Sequence, residues 1–160
     1  MKDQCPQHPE ASSAFSRHGC DRGTPQSALI HQLCILLVDD EPVSTRLRGE
    51  VLEEHGYSVT IYHRPMDVLR CDLSNIDIAI LDFQMPELNG RELFLRMRAL
   101  GARFPIVLLT GCVHALSYDD RVLFARCIDK AEPITSLLAA IAEFLDPNQA
   151  PDFEAGGRAL

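Results

Sequence analysis

Five residues in this chain stand where apolar runs stop. Asp39 and Asp40 follow the run over 33–38, Asp82 follows 76–81, Thr110 closes 105–110, and Lys130 follows a short run over 125–129. Apolar runs without alternation read as parallel strands covered on both faces. In an open parallel sheet the carboxyl ends of the strands share one edge, where ligands bind and chemistry occurs. Three carboxylates, a hydroxyl and an ammonium are therefore expected on one rim. Crowded carboxylates repel one another. A hard divalent cation such as magnesium relieves that repulsion through oxygen ligands and a neighbouring phosphate. A carboxylate can also accept a phosphoryl group, giving an acyl phosphate. On this reading Asp82 is the nucleophile, the metal offsets charge in the transfer, and Lys130 and Thr110 bind the transferred group.

The elements that must position these residues alternate. The spacing predicts a strand over 32–38, and then a helix over 42–55 with Pro42 in its first turn. Val43, Leu47, Val51 and Leu52 are its expected inward face, and Gly56 its stop. A strand over 58–62 and a short helix over 65–71 follow. The strand over 76–81 delivers Asp82. Beyond the turn Met85-Pro86-Glu87-Leu88-Asn89-Gly90, a helix over 89–100 carries the stripe Leu93, Phe94, Met97 and Leu100. A strand over 105–110 precedes a fourth helix somewhere in 113–124, where Tyr118-Asp119-Asp120 interrupts the pattern. A strand over 125–129 and a helix over 133–145, with Leu137, Leu138, Ile141 and Leu145 inward, complete five strand–helix units. Such alternation implies a parallel α/β sheet with right-handed crossovers and helices on both faces.

The 160 residues suit one ordinary domain, and 46% of them are hydrophobic, too many for a disordered chain. A net charge of −8 argues against a nucleic-acid surface, which needs a basic face. No apolar stretch approaches the roughly 20 residues of a membrane span, and the start lacks the apolar core of a signal peptide, so a cytoplasmic, non-membrane protein is expected. Residues 1–31 and 146–160 read as mobile tails, leaving a domain over 32–145. Cys5, His8, His18 and Cys20 match no common zinc spacing. The other cysteines, Cys34, Cys71, Cys112 and Cys127, lie in or beside apolar elements, where a free thiol acts as a small hydrophobe. His63 and His114 read as surface residues.

In combination, Val38-Asp39-Asp40-Glu41-Pro42, Leu81-Asp82-Phe83-Gln84-Met85-Pro86 with Asn89-Gly90, Leu109-Thr110-Gly111 and Lys130 resemble the receiver domain of two-component response regulators, over about 32–145. The resemblance implies a flavodoxin-like three-layer fold with strand order 2-1-3-4-5. It also implies phosphotransfer onto Asp82 from a histidine kinase or histidine phosphotransfer protein. By the family pattern Asp40, Asp82 and the backbone carbonyl of Gln84 hold magnesium, Asp39 helps mainly through water, and Thr110 moves toward the phosphoryl group. Gln84, two residues past the phosphoacceptor, would influence signal lifetime. The space after Lys130 suits one helix and a tail, so a stand-alone receiver signalling by contact with a downstream protein is expected.

Two positions depart from that pattern. The family usually has Lys-Pro after the last strand, often with a cis bond, whereas Lys130 is followed by Ala131. A cis bond before a residue other than proline costs about 2.5–4 kcal/mol, so a trans bond is expected. The family's switch aromatic falls on Cys127, which has no ring to swing. A second reading follows, a degenerate receiver that serves as a phosphorylation-independent interaction module. A third, an aspartate-nucleophile phosphatase, is disfavoured: those enzymes resemble D-x-D, and Gln84 stands where the general acid would be.

Overall fold

The computed structural model describes residues 32–145. The tail assignments for 1–31 and 146–160, and the Cys5/His8/His18/Cys20 group, lie outside the described residues. The strands are β1 (Cys34–Val38), β2 (Ser58–Tyr62), β3 (Ile78–Leu81), β4 (Ile106–Thr110) and β5 (Arg126–Asp129). The helices are α1 (Pro42–Glu54), α2 (Pro65–Val68), α3 (Gly90–Ala99), α4 (Tyr118–Leu123) and α5 (Ile134–Leu145). All strand pairs are parallel, in the order β2-β1-β3-β4-β5.

The apolar runs are buried on both faces, as their lack of alternation requires. Leu36, Val38, Ala79, Leu81, Ile106 and Leu108 pack with Val68, Leu93, Phe94 and Met97 of α2 and α3. On the other face Ile35, Leu37, Ile78, Ile80, Val107 and Leu109 pack with Leu52 of α1 and with Leu137, Ala140 and Ile141 of α5.

α1 departs from its expected inward face. Val43 and Leu47 are exposed, at 70% and 59%, while Thr45, Gly49 and Leu52 are buried. The rotation follows from Gly49: a Cβ there would lie 2.8 Å from Ile61 Cδ1, so the helix lays its side-chain-free position against β2. In α3, Leu93, Phe94 and Met97 are buried as expected, but Leu100 is the C-cap and is 60% exposed.

The Tyr118-Asp119-Asp120 interruption is the start of α4, not a break within it. Ser117 caps the helix by accepting from the Asp120 N–H, and a short 3-10 turn, Val113–Ala115, precedes it. α2 is shorter than expected, and β1 and β3 each begin two residues later than the strands expected over 32–38 and 76–81.

Candidate functional site

Register assembles the site. Val38 is opposite Leu81 across β1 and β3, so Asp39 and Asp82 leave the sheet side by side, and the Asp82 N–H donates to the Val38 carbonyl at 2.9 Å. Thr110 is opposite Asp129 across β4 and β5, and the Lys130 N–H donates to the Thr110 carbonyl at 3.0 Å. The rim inferred from run ends is thus built by strand pairing.

Asp39, Asp40 and Asp82 each offer a carboxylate oxygen within 4.8 Å of the others. Asp39 and Asp82 are buried, and Asp40 faces outward. Lys130 Nζ bridges the buried pair, 2.7 Å from Asp39 Oδ2 and 2.9 Å from Asp82 Oδ2. Asp82 Oδ1 accepts from the Phe83 N–H at 2.7 Å. Thr110 is fully buried, and its Oγ1 accepts from the Cys112 N–H at 3.3 Å. The Gln84 side chain is exposed, and Cys112 Sγ is 3.7 Å from its Oε1.

Burial pushes the Asp82 carboxyl above its ordinary range; the Lys130 ammonium and the Gln84 backbone N–H pull it back only in part, and Asp39 adds to the rise. Burial also disfavours the Lys130 ammonium, but its bonds to Asp39 and Asp82 outweigh this, and its pKa is raised too. The Asp82 rise thus comes mainly from burial, with Asp39 adding to it, and the Lys130 rise from the two carboxylates it bridges. Three convergent oxygen donors with a residual negative potential fit a hard divalent cation.

Three supporting residues were not evident from the sequence. Gly90 packs on the Asp82 backbone, where a Cβ would lie 2.4 Å from the Asp82 carbonyl oxygen. His63, on the exposed surface as expected, has Nδ1 3.0 Å from the Asp39 carbonyl oxygen. Arg48 Nη1 is 3.4 Å from Asp39 Oδ2. The one available signal for Arg48 was its place three residues after Thr45 and four before Leu52, the border of the buried face. An inward Leu47, as apolar spacing predicts, conceals that signal.

At the divergent positions, the backbone is trans throughout the described residues, Lys130–Ala131 included. Cys127 is a half-buried free thiol packed against the core. Burial raises its pKa.

A five-stranded parallel sheet in this order, with acidic groups and a lysine at its carboxyl edge, defines a receiver-type signalling fold. The response regulator receiver domain family model matches residues 35–141, and the chain belongs to that family. It is similar to the sensor histidine kinase RcsC of Salmonella typhimurium, 37% identical over 98 residues, which are 61% of this chain and 10% of that protein. It is also similar to the transcriptional regulatory protein GlrR of Escherichia coli, 34% identical over 78 residues, which are 48% of this chain and 18% of that protein. The matched segment thus spans about a tenth to a fifth of these relatives' lengths. Among solved structures, the response regulator TrrA of Thermotoga maritima, crystallised with Mg2+–BeF, aligns with a TM-score of 0.66 and 30% identity over 71% of this chain and all of that one. A CheY-like receiver domain from Methanospirillum hungatei aligns with a TM-score of 0.63 at 24% identity, covering 72% of this chain and 94% of that one. Among the described residues no helix is long and apolar enough to cross a membrane.

Proposed function

We propose that the domain over 32–145 accepts a phosphoryl group on Asp82 in a magnesium-dependent reaction and passes the signal on by protein contact. The observation that carries this is the Lys130 bridge: one ammonium within 2.9 Å of both Asp39 and Asp82, in a pocket still short of positive charge. An Asp82 carboxylate oxygen attacks the phosphorus of a phosphohistidine on a histidine kinase or phosphotransfer protein. The new O–P bond forms as the N–P bond breaks, and the departing ring nitrogen keeps the electron pair, leaving a neutral imidazole whose other nitrogen already carries its proton. Lys130 offsets charge on the transferring group, and the Phe83 N–H holds the non-attacking carboxylate oxygen. Asp40, Asp82, the Gln84 carbonyl and, through water, Asp39 would hold magnesium, which supplies further charge neutralisation when bound. Thr110 is the hydroxyl at the end of β4 suited to the phosphoryl oxygens. The chain assists only its own phosphorylation and dephosphorylation, so it is a signalling domain and not an enzyme acting on other substrates. The acidic surface charge and the site chemistry favour protein partners over nucleic acid or membrane, in the cytoplasm.

Cys127 favours the second reading in one respect, because a packed thiol on β5 gives Thr110 no ring to move. Intact mass after incubation with a small-molecule phosphodonor and magnesium separates the two. Gain of one phosphoryl group, absent in Asp82→Asn and absent without magnesium, supports phosphoacceptance. No gain with the fold intact by circular dichroism supports a constitutive interaction module.

A further inference from the structure

We propose that Arg48 is a resident competitor for the acidic pocket, holding Asp39 in the metal-free state and so setting the magnesium concentration at which the pocket fills. The proposal rests on the magnesium reading above. Arg48 projects from α1, and its Nη1 lies 3.4 Å from Asp39 Oδ2, the oxygen that Lys130 holds at 2.7 Å. The other oxygen, Oδ1, accepts from the Glu41 N–H at 2.9 Å. Both Asp39 oxygens are therefore already engaged by donors of this chain. A cation that draws on Asp39, directly or through water, must share it with Arg48 or displace it.

A guanidinium cannot shed its proton, so this competing charge is permanent. Its side chain is only 17% exposed and that of Asp39 only 2%, so solvent screens the pair weakly. The neighbouring Arg46, 80% exposed and paired to Glu50, shows what an ordinary surface arginine of the same helix does. With Arg48 present, three carboxylates face two cations, and the pocket keeps about one uncompensated negative charge. That charge still attracts a divalent ion, but less than a pocket held by Lys130 alone. Arg48 also has room to yield. It lines a cavity of about 210 Å³ with Leu109, Ile128, Pro133, Ile134 and Leu137, and Glu132 borders the same space as an alternative carboxylate.

The test is magnesium titration by calorimetry, with melting temperature followed against magnesium, on the full wild-type chain and on Arg48→Met, Arg48→Gln and Arg48→Lys. The expected result is a magnesium Kd about tenfold lower in the two neutral variants, about 1.4 kcal/mol, and within about twofold of wild type in Arg48→Lys. Should Arg48→Met fail to fold, Arg48→Gln, which keeps a polar head beside Asp39, carries the comparison. A Kd unchanged or weaker in the folded neutral variants, with wild type binding normally, overturns the role of Arg48 and leaves the magnesium reading standing. No binding by any form, wild type included, overturns both.

Discussion

Gly90 lies so close to Asp82 that a Cβ on it would sit 2.4 Å from the Asp82 carbonyl oxygen and 3.0 Å from Phe83 Cα. Its own N–H donates to the Phe83 carbonyl at 2.9 Å. The first residue of α3 is thus pressed onto the strand end that presents the candidate nucleophile. Both neighbours are backbone, so they cannot swing aside as a flexible side chain would. Gly90→Ala is expected to lose about 1–3 kcal/mol in urea unfolding, the range for overpacking a tight site. It is also expected to reduce phosphoryl gain in the intact-mass assay, because the displaced atoms carry Asp82. Full stability and full phosphoryl gain in this variant would show that the loop relaxes freely.

Lys130 bridges two buried carboxylates, and its removal leaves them facing each other. Breaking a fully buried ion pair costs about 3–5 kcal/mol. Lys130 keeps 20% exposure, and water will reach the vacated space, so Lys130→Met is expected to lose less, about 2–3 kcal/mol. Magnesium should return part of that loss by binding the folded state alone. Urea unfolding with and without magnesium checks both statements.

The exposure of Leu47 and the burial of Leu52 predict very different truncations within one helix. Leu52→Ala empties a fully buried position and is expected to cost about 2–5 kcal/mol. Leu47→Ala removes a side chain that is 59% exposed and is expected to stay within about 0.5 kcal/mol of wild type. Equal losses would restore the inward face that apolar spacing alone assigns to α1.

That contrast also marks where the sequence stopped being informative. Strand ends were legible because a buried parallel strand is an unbroken apolar run, and the polar residue that ends it must emerge at the sheet edge. Asp39, Asp82, Thr110 and Lys130 all stand at such run ends, and strand register brings them together. Helix faces were less legible. α1 contains four aliphatics at helical spacing, but the contact between Gly49 and Ile61 rotates it, and no pattern of apolar residues encodes a close approach made by a missing side chain. The same blindness hid Arg48, a border residue of the true face, and the packing of Gly90 on Asp82. At α4, two aspartates resemble an interruption only against the pattern of a helix interior. They are first-turn residues under the Ser117 cap, where acidic side chains are favourable.

Asp120 joins α3 to α4 and gives a pH-dependent prediction away from the acidic pocket. Its Oδ2 accepts from the Ser117 hydroxyl at 2.6 Å, and its Oδ1 is 2.7 Å from Arg91 Nη1. Ser117 first, and Arg91 after it, hold the Asp120 carboxyl below its ordinary 3.8. The native state therefore binds this proton less readily than the unfolded chain does. Stability from Asp120 is fully present above the ordinary carboxyl range and is lost as pH falls through the depressed native value. Asp120→Asn should lower the melting temperature at neutral pH modestly, by the equivalent of about 1 kcal/mol or less, since Arg91 is 43% exposed and screened. The gap between wild type and variant should close as pH drops below 3.8, where the wild-type carboxyl is also becoming neutral. Melting curves of both proteins at stepped pH, repeated in high salt, read this directly. A gap that persists undiminished into acid would mean that Asp120 acts through packing and the Ser117 cap and not through its charge.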